Sequence, residues 1–423
     1  MPQAQDQARS LPIGVSADDL TGAADTAAAL ARPSAPVAVS LSARPPTVRG
    51  RAAVALTTDS RACPPARTRK LVAASAQALR KAGCRLLYLK VDSNARGELG
   101  VAVAAAAEAW GRPVVLAPAF PARGRTTKGG VLLVDGRPVA ETEMARDPEA
   151  PVTESDLVRL LRRQQSDLPV ALCPLSAVRS GAEATRQAVP AEGVLVADAE
   201  SDADLDAVVE ATLALEPPPV LAGSAGLAAA LGRRLLGAVG GAARSGPAIG
   251  PILAILASSS SVMQAQVATA RPPATAVPLP CQRLTREEAP IPELRRAMEE
   301  AIVGLEAGRD VVVHAVGPLP AVPRPVELVV EHLAHLAFVV MKEGRPRGLL
   351  VGGGSTAQAV LASLGAEAVE VEEEPLPGIA GGALAGGEFA GLPVALKPGA
   401  AGPPEAVAVL LDYLGRRAGE MGA

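Results

Sequence analysis

Short apolar runs alternate with Ala-rich stretches along the first half of the chain. Leu11–Val15, Val37–Leu41, Ala53–Thr57 and Arg85–Lys90 read as strands. Ala23–Ala31, Thr68–Ala82 and Val101–Trp110 read as the helices between them. Val114–Ala117, Val131–Val134, Gly193–Ala197 and Val220–Ala222 continue the strand series, with helices over Asp156–Gln165 and Gly226–Leu236. Strand–helix alternation at this spacing predicts a parallel sheet with helices on both faces. Gly and Pro dominate 237–251, which reads as a linker. Beyond it the pattern restarts with strand Ile252–Leu256, helices Val262–Ala270 and Glu293–Ala307, and strand Asp310–His314. Helix Pro325–Glu343 and strand Gly348–Val351 follow, then a Gly- and Pro-rich stretch up to a last helix, Pro404–Arg417. The expected fold class is α/β, in two domains with mainly parallel sheets flanked by helices, residues 1–240 and 247–423.

Composition narrows the function. The chain has 423 residues, 49% hydrophobic and 20% charged, which is globular rather than disordered. Aromatic residues make up 1%, so the core is built from Ala, Val and Leu, and stacking on nucleic-acid bases is disfavoured. A net charge of -3 without a long basic block argues against a phosphate-backbone binder. No run of 18 apolar residues occurs, and Met1–Ser10 has no apolar core of a signal peptide. A cytoplasmic protein that touches neither nucleic acid nor membrane is expected. Cys63, Cys84, Cys173 and Cys281 share no metal-ligand or redox spacing and read as ordinary thiols.

The candidate chemistry sits where strands end. The first run is followed by the adjacent carboxylates Asp18 and Asp19 and then by a helix, the position at which α/β proteins place ligands. Adjacent carboxylates repel and call for a cation, a donor or a proton nearby; a turn that caps the helix explains them equally well. Lys90–Gly100 holds Lys90, Asp92, Ser93, Asn94 and Arg96 in one loop, which suits a small polyhydroxylated anion, and Arg96 offers bidentate contact to a carboxylate. Thr58–Arg61 follows the third strand, and Ala117–Gly130 carries Arg123, Arg125 and Lys128 after the fifth. Together these loops are expected to line one sheet edge, where a pocket forms.

In the second half, Gly352-Gly353-Gly354-Ser355-Thr356 joins a strand to a helix start, as loops that cradle phosphates do. It is not a Walker A sequence. Ala257–Ser261 and Lys397–Gly402 add two further loops of similar character, and three together point to a nucleotide's phosphates. Glu331, His332 and His335 lie within one helical turn but read as part of an amphipathic helix rather than a metal site.

In order, these motifs resemble the four-carbon acid sugar kinase family. The resemblance runs through Ala17–Ala23, Asp59–Arg61, Lys90–Ser93 with Arg96-Gly97, Pro118–Pro121 with Gly124–Thr126, Arg146–Pro148 and Gly223–Leu227. It implies an N-terminal domain for a sugar acid, a C-terminal domain for ATP, and phosphoryl transfer in the cleft between them. It implies Asp18 or Asp19 as acceptor of the attacking hydroxyl's proton, with Asp92 as the other candidate. Arg61, Ser93, Arg96 and Arg125 would hold the substrate. Ser258, Gly353, Gly354, Ser355, Thr356 and Gly399 would hold ATP. Mg²⁺ is implied by the chemistry, with no ligand identified, and a homo-oligomer is left open.

The chain departs from the family pattern mainly in its second half. Ser355 stands where the family has Asp, Pro398 stands in the Lys397 loop, and Ala257 replaces a Gly. The alternative is therefore a weakened member that binds a sugar acid or nucleotide without transfer. A nicotinamide-dependent dehydrogenase ranks far lower, because the first strand ends in Asp18-Asp19 and not in a glycine fingerprint.

Overall fold

Ile13–Ala17 (β1) is buried at every position. A strand flanked on both sides and covered on both faces has no polar positions to spare, which is why this segment reads as a continuous apolar run. It extends to Ala17, so the strand delivers Asp18 directly to the sheet edge. The expected strand began at Leu11, which lies outside the described residues. The structure is a computed structural model that describes residues 12–32, 34–42, 44–147, 150–237, 248–258, 260–270, 274–284, 290–319, 322, 324–399 and 401–421. Most of the linker stretch, together with Ser259, Ala400 and Pro148, falls outside them. The chain divides into two compact units at Gly240/Gly241.

The first unit holds β1, β2 (Val37–Ser40), β3 (Ala53–Thr57), β4 (Leu86–Lys90), β5 (Val114–Ala117), β6 (Arg125–Lys128), β7 (Val131–Val134), β8 (Arg137–Pro138), β9 (Val170–Cys173), β10 (Val194–Ala197) and β11 (Val220–Gly223). Its main sheet runs β2-β3-β1-β4-β11-β5-β10-β9 and is parallel throughout. Helices Leu20–Leu30, Asp202–Leu213 and Ala225–Leu236 pack together, as do Pro65–Lys81, Leu99–Trp110 and Leu157–Gln164. Val131–Val134, expected as one more strand of the series, instead joins β6 and β8 in a separate three-stranded antiparallel sheet. Asp198 holds this hairpin by accepting from the backbone N–H of Gly129 and Gly130, and it accepts from Leu175 as well. At the amino edge of the main sheet, turns containing Gly83 and Gly111 feed β4 and β5.

The second unit holds β12 (Ile252–Leu256), β13 (Thr275–Pro280), β14 (Val311–Val316), β15 (Gly348–Gly352), β16 (Ala368–Leu376), β17 (Ile379–Ala385) and β18 (Pro393–Lys397). Strand order is β13-β14-β12-β15-β18-β17-β16, parallel as far as β18 and antiparallel beyond it. The region expected as Gly- and Pro-rich connection therefore contains, after the helix whose start the glycine loop marked, Gly354–Ser363, three strands that the pattern did not show. Their pattern hides them. β16 carries a run of Glu, and β17 carries Gly381 and Gly382, where a Cβ would collide with Tyr413 and with the Glu370 backbone. Among the described residues no helix is long and apolar enough to cross a membrane.

Candidate active site

The carboxyl edge of the first sheet is set by register. Thr57, Ala17, Lys90 and Gly223 end their strands in one row. The chain leaves β1 toward β2 and β3 on one side and returns to β4 on the other. A crevice forms where strand order reverses in this way, and ligands of α/β folds bind there. The loops after β1, β3 and β4 meet at this reversal.

Arg61, from the loop after β3, is the hub. Its Nε and Nη2 donate to the two oxygens of Asp18 at 2.8 and 3.0 Å. Its Nη1 lies 2.8 Å from Asp19 Oδ2, and Nη2 lies 3.8 Å from Asp92 Oδ2. Asp92 is gripped in turn by Arg96, whose Nε and Nη2 donate at 3.1 and 2.9 Å, and its Oδ1 accepts from the Asn94 backbone at 3.0 Å. Arg96 Nη1 donates to Asp147 at 3.0 Å. Bidentate guanidinium–carboxylate pairs fix direction as well as charge. Asp18, Asp92, Arg61 and Arg96 line a cavity with Lys90 and Thr58.

The three carboxylates differ. Asp19 is the N-cap of helix Leu20–Leu30 and accepts from Gly22 N at 2.6 Å. Asp92 is buried, which works against ionisation, but the bonds from Arg96 and the charges of Arg61 and Arg96 hold its carboxyl well below the usual carboxylate range. Asp18 is raised above its ordinary value, because burial and the charge of Asp19 outweigh the pull of Arg61 and Lys90. One carboxylate caps, one anchors, and one is left basic.

Behind this layer lies a group that sequence reasoning did not assign. Lys90 is 4% exposed, and its ammonium donates only to the Val91 carbonyl, at 2.9 Å, among the described residues. Burial lowers its pKa, yet the carboxylates of Asp25, Asp18 and Asp19 reverse the shift upward. Burial pushes Asp25 up to about 6 against the pull of Lys90. The sequence signal was an acidic residue on the buried Ala face of a helix. Gly22 lets the two side-chain ends come close, since a Cβ would stand 2.7 Å from Asp19 Oδ1 and 2.9 Å from Lys90 Nζ and make them shift.

Other expected residues fall into place unevenly. Arg125 donates to Asn94 Oδ1 at 3.3 Å and to the Arg123 carbonyl, which ties the β6 loop to the Asp92 loop. Ser93 is half-buried, with no side-chain hydrogen bond among the described residues. Asp59 is exposed, with φ 47°, and is not among the residues lining the cavity. Asp147, within a motif that had no role assigned, proves to be the second anchor of Arg96.

In the second unit, His314, Leu256, Gly352 and Lys397 form one row across β14, β12, β15 and β18. The three candidate loops leave the last three of these strands side by side. Gly353 N donates to the Lys397 carbonyl at 3.0 Å, and a Cβ on Gly399 would lie 4.0 Å from Ser258 Oγ. Gly353 has φ 105°, open to glycine, and is the N-cap of helix Gly354–Ser363 with no side-chain cap. The first-turn N–H groups of Gly354, Ser355 and Thr356 thus carry the helix's positive end without a capping side chain, a natural anion seat. Ser355 is exposed and Thr356 buried. Among the described residues no group of three His, Cys, Asp or Glu side chains is placed to hold a metal.

Known proteins share this layout. The sugar-binding N-terminal domain family matches residues 13–231, and the nucleotide-binding C-terminal domain family matches residues 253–407. A D-threonate kinase of Bordetella bronchiseptica is 34% identical over 92% of this chain and 94% of its own length. A D-threonate kinase of Cupriavidus necator is 36% identical over 86% and 88%. A 3-oxo-tetronate kinase of Pseudomonas fluorescens is 32% identical over 92% and 93%. A crystal structure from Salmonella typhimurium LT2 has a TM-score of 0.79 and 25% identity, covering 95% of this chain and 98% of that one. A Haemophilus influenzae structure with a TM-score of 0.73 and 22% identity, covering 95% and 99%, shares the fold. With both domain families matched in order and related kinases aligned along nearly its whole length, the chain belongs to the four-carbon acid sugar kinase family.

Proposed function

We propose that this chain is an ATP-dependent kinase that phosphorylates a hydroxyl of a four-carbon sugar acid. The observation that carries the reading is a division of labour within one chain. One parallel sheet ends in a cavity lined by carboxylates and guanidinium groups, and the parallel strands of the second unit end in three adjoining loops with an uncapped helix start. The names of the relatives support it.

Phosphoryl transfer asks the protein mainly to position reactants and to place charge. Asp18 is the proton acceptor for the attacking hydroxyl, since it lines the cavity and its pKa is raised, whereas that of Asp92 is lowered. Arg61 fixes the Asp18 carboxylate and offers its remaining N–H donors to the substrate. Arg96 and Arg125 frame the Asp92 loop and present positive charge to the acid's carboxylate. ATP phosphates rest on backbone N–H groups of Gly353–Thr356, with Ser258 and Gly399 beside them. The three loops supply hydroxyls and amides but no carboxylate, so they do not build a divalent-cation site of their own.

The same lack of a carboxylate, with Ser355 in the glycine loop, favours the second reading: a sugar-acid or nucleotide-binding protein that does not transfer phosphate. ADP release, measured with ATP and Mg²⁺ against D-threonate, D-erythronate and 3-oxo-tetronate, separates the two. D-threonate is the first acceptor to try. Release that depends on one of these acids establishes the kinase. Tight ATP binding in calorimetry, with no acid-dependent release for any of them, establishes the second reading.

A further inference from the structure

We infer that Lys397 is the cation on which the nucleotide's phosphate chain is seated, and that the protein keeps this charge unpaired until the nucleotide arrives. The inference rests on the reading of the second unit as nucleotide-binding, and it adds a residue and a proton to that reading.

Lys397 is the last residue of β18 and is 2% exposed. Its ammonium donates to the carbonyls of Gly399 at 2.8 Å and Pro398 at 3.3 Å, both in its own loop. Among the described residues no carboxylate lies within ion-pair distance. This is unusual for a buried charge, which normally has a partner because its desolvation is otherwise uncompensated. In the first unit Arg61 and Arg96 are bound by carboxylates, whereas among the described residues Arg32 donates only to backbone carbonyls and Lys90 only to that of Val91. What sets Lys397 apart is its place, at the junction of all three loops. Its carbonyl accepts from Gly353 N, and its ammonium holds Gly399, which lies against Ser258. Around it converge hydroxyls, an uncapped helix start and one unmatched positive charge. The counter-charge that such a site lacks is a polyanion.

Among the described residues around it nothing replaces it. Helices Ser261–Ala268 and Gly354–Ser363, strands β12, β15 and β17, and the loops at 257–260 and 398–402 carry no acidic or basic side chain. His314 stands two strands away in the same row. Glu405 precedes the last helix, Ala406–Met421, which carries Asp412, Tyr413, Arg416 and Arg417 toward its far end. Burial alone lowers the ammonium from its ordinary range to about 8. Near that pH a fraction of the protein holds neutral Lys397. A phosphate chain restores the ammonium, so binding takes up a proton.

The test is calorimetric titration of the full chain at pH 8 with ADP and with inorganic tripolyphosphate, in Tris and in HEPES, whose ionisation enthalpies differ. The binding enthalpy of the wild type is expected to depend on the buffer, with uptake of about half a proton. At pH 6.5 the uptake from this group vanishes. Lys397→Met is expected to bind both ligands at least about tenfold more weakly. Because it removes an uncompensated charge, it is also expected to melt at a higher temperature than the wild type at pH 7 without ligand. Wild-type binding with no buffer dependence at pH 8 overturns the inference, as does a Lys397→Met variant with wild-type affinity. A lower melting temperature in the ligand-free variant also overturns it, since Lys397 would then be a tie for its loop. If the wild type binds neither ligand, the nucleotide-binding reading itself falls.

Discussion

The two units assemble their loops from different materials. In the first, side chains do the holding: Arg61 bridges carboxylates from the loops after β1 and β4, and Arg96 joins Asp92 to Asp147. In the second, backbone does it: Gly353 bonds the Lys397 carbonyl, Gly399 approaches Ser258, and the helix start is left uncapped. A charge network is complete before any ligand binds, and its members set one another's protonation. A backbone cradle is generic, tolerant of side-chain replacement, and finished by the ligand. The contrast fits the expectation, from the sequence, that Ala257, Ser355 and Pro398 of the second unit depart from the family pattern.

The largest way to break this contrast is Arg61→Ala. The change leaves Asp18, Asp19 and Asp92 facing one another without their shared cation. Loss of one partner from a buried pair costs about 3–5 kcal/mol. Turnover should disappear and the thermal midpoint should fall. Arg61→Lys should restore little, because an ammonium does not reproduce the bidentate fork. An Arg61→Ala protein with wild-type stability would show the hub to be dispensable.

Next in size, Asp18→Asn should lower kcat by about 10²–10⁴-fold while leaving the fold intact. Asp19→Asn, in contrast, keeps an acceptable helix cap, so kcat should stay within about tenfold of wild type. Equal losses in both variants would reject the separation of a basic carboxylate from a capping one. The kcat/KM profile should also show an acid limb above the ordinary carboxylate range, since the Asp18 pKa is raised.

A smaller effect separates the layer behind the site. Asp25 has a folded pKa of about 6, above its ordinary 3.8. Such a group adds stability below its unfolded pKa, and that contribution is lost as pH rises through about 6. Asp25→Asn should therefore raise the melting temperature at pH 8, by a few degrees at about 2–4 °C per kcal/mol, and have less effect at pH 4.5. Equal shifts at both pH values would place the carboxylate outside the coupled cluster. Smallest of all, Ser355→Asp should raise activity at limiting Mg²⁺ by less than about tenfold, a modest electrostatic gain. Lower activity at every Mg²⁺ concentration would show that the cradle works better without the charge.

Legibility in the sequence follows the same division. The strands around the site were readable because each is an apolar run closed by a polar loop, and β3, β5 and β12 begin and end where the pattern places them. β16 and β17 were not readable, because Glu and Gly mask their period and their glycines answer to Tyr413 and the Glu370 backbone. Candidate residues such as Asp18, Asp92 and Arg96 announced themselves as charges at strand ends. Their separate tasks did not, because only the partners of each carboxylate decide which is basic. Asp59 has the same sequence address as Asp18 but is exposed, since the loop after β3 turns at it with positive φ and sends Arg61 inward instead.

Every loop with chemistry leaves the carboxyl edges, so the amino edges are free ground. In the first unit the turns at Gly83 and Gly111 feed β4 and β5 with open space around both glycines. A dye or surface tether placed in either turn sits a full strand length from Asp18 and Asp92. The enzyme can thus be watched or immobilised from the edge opposite its charged loops.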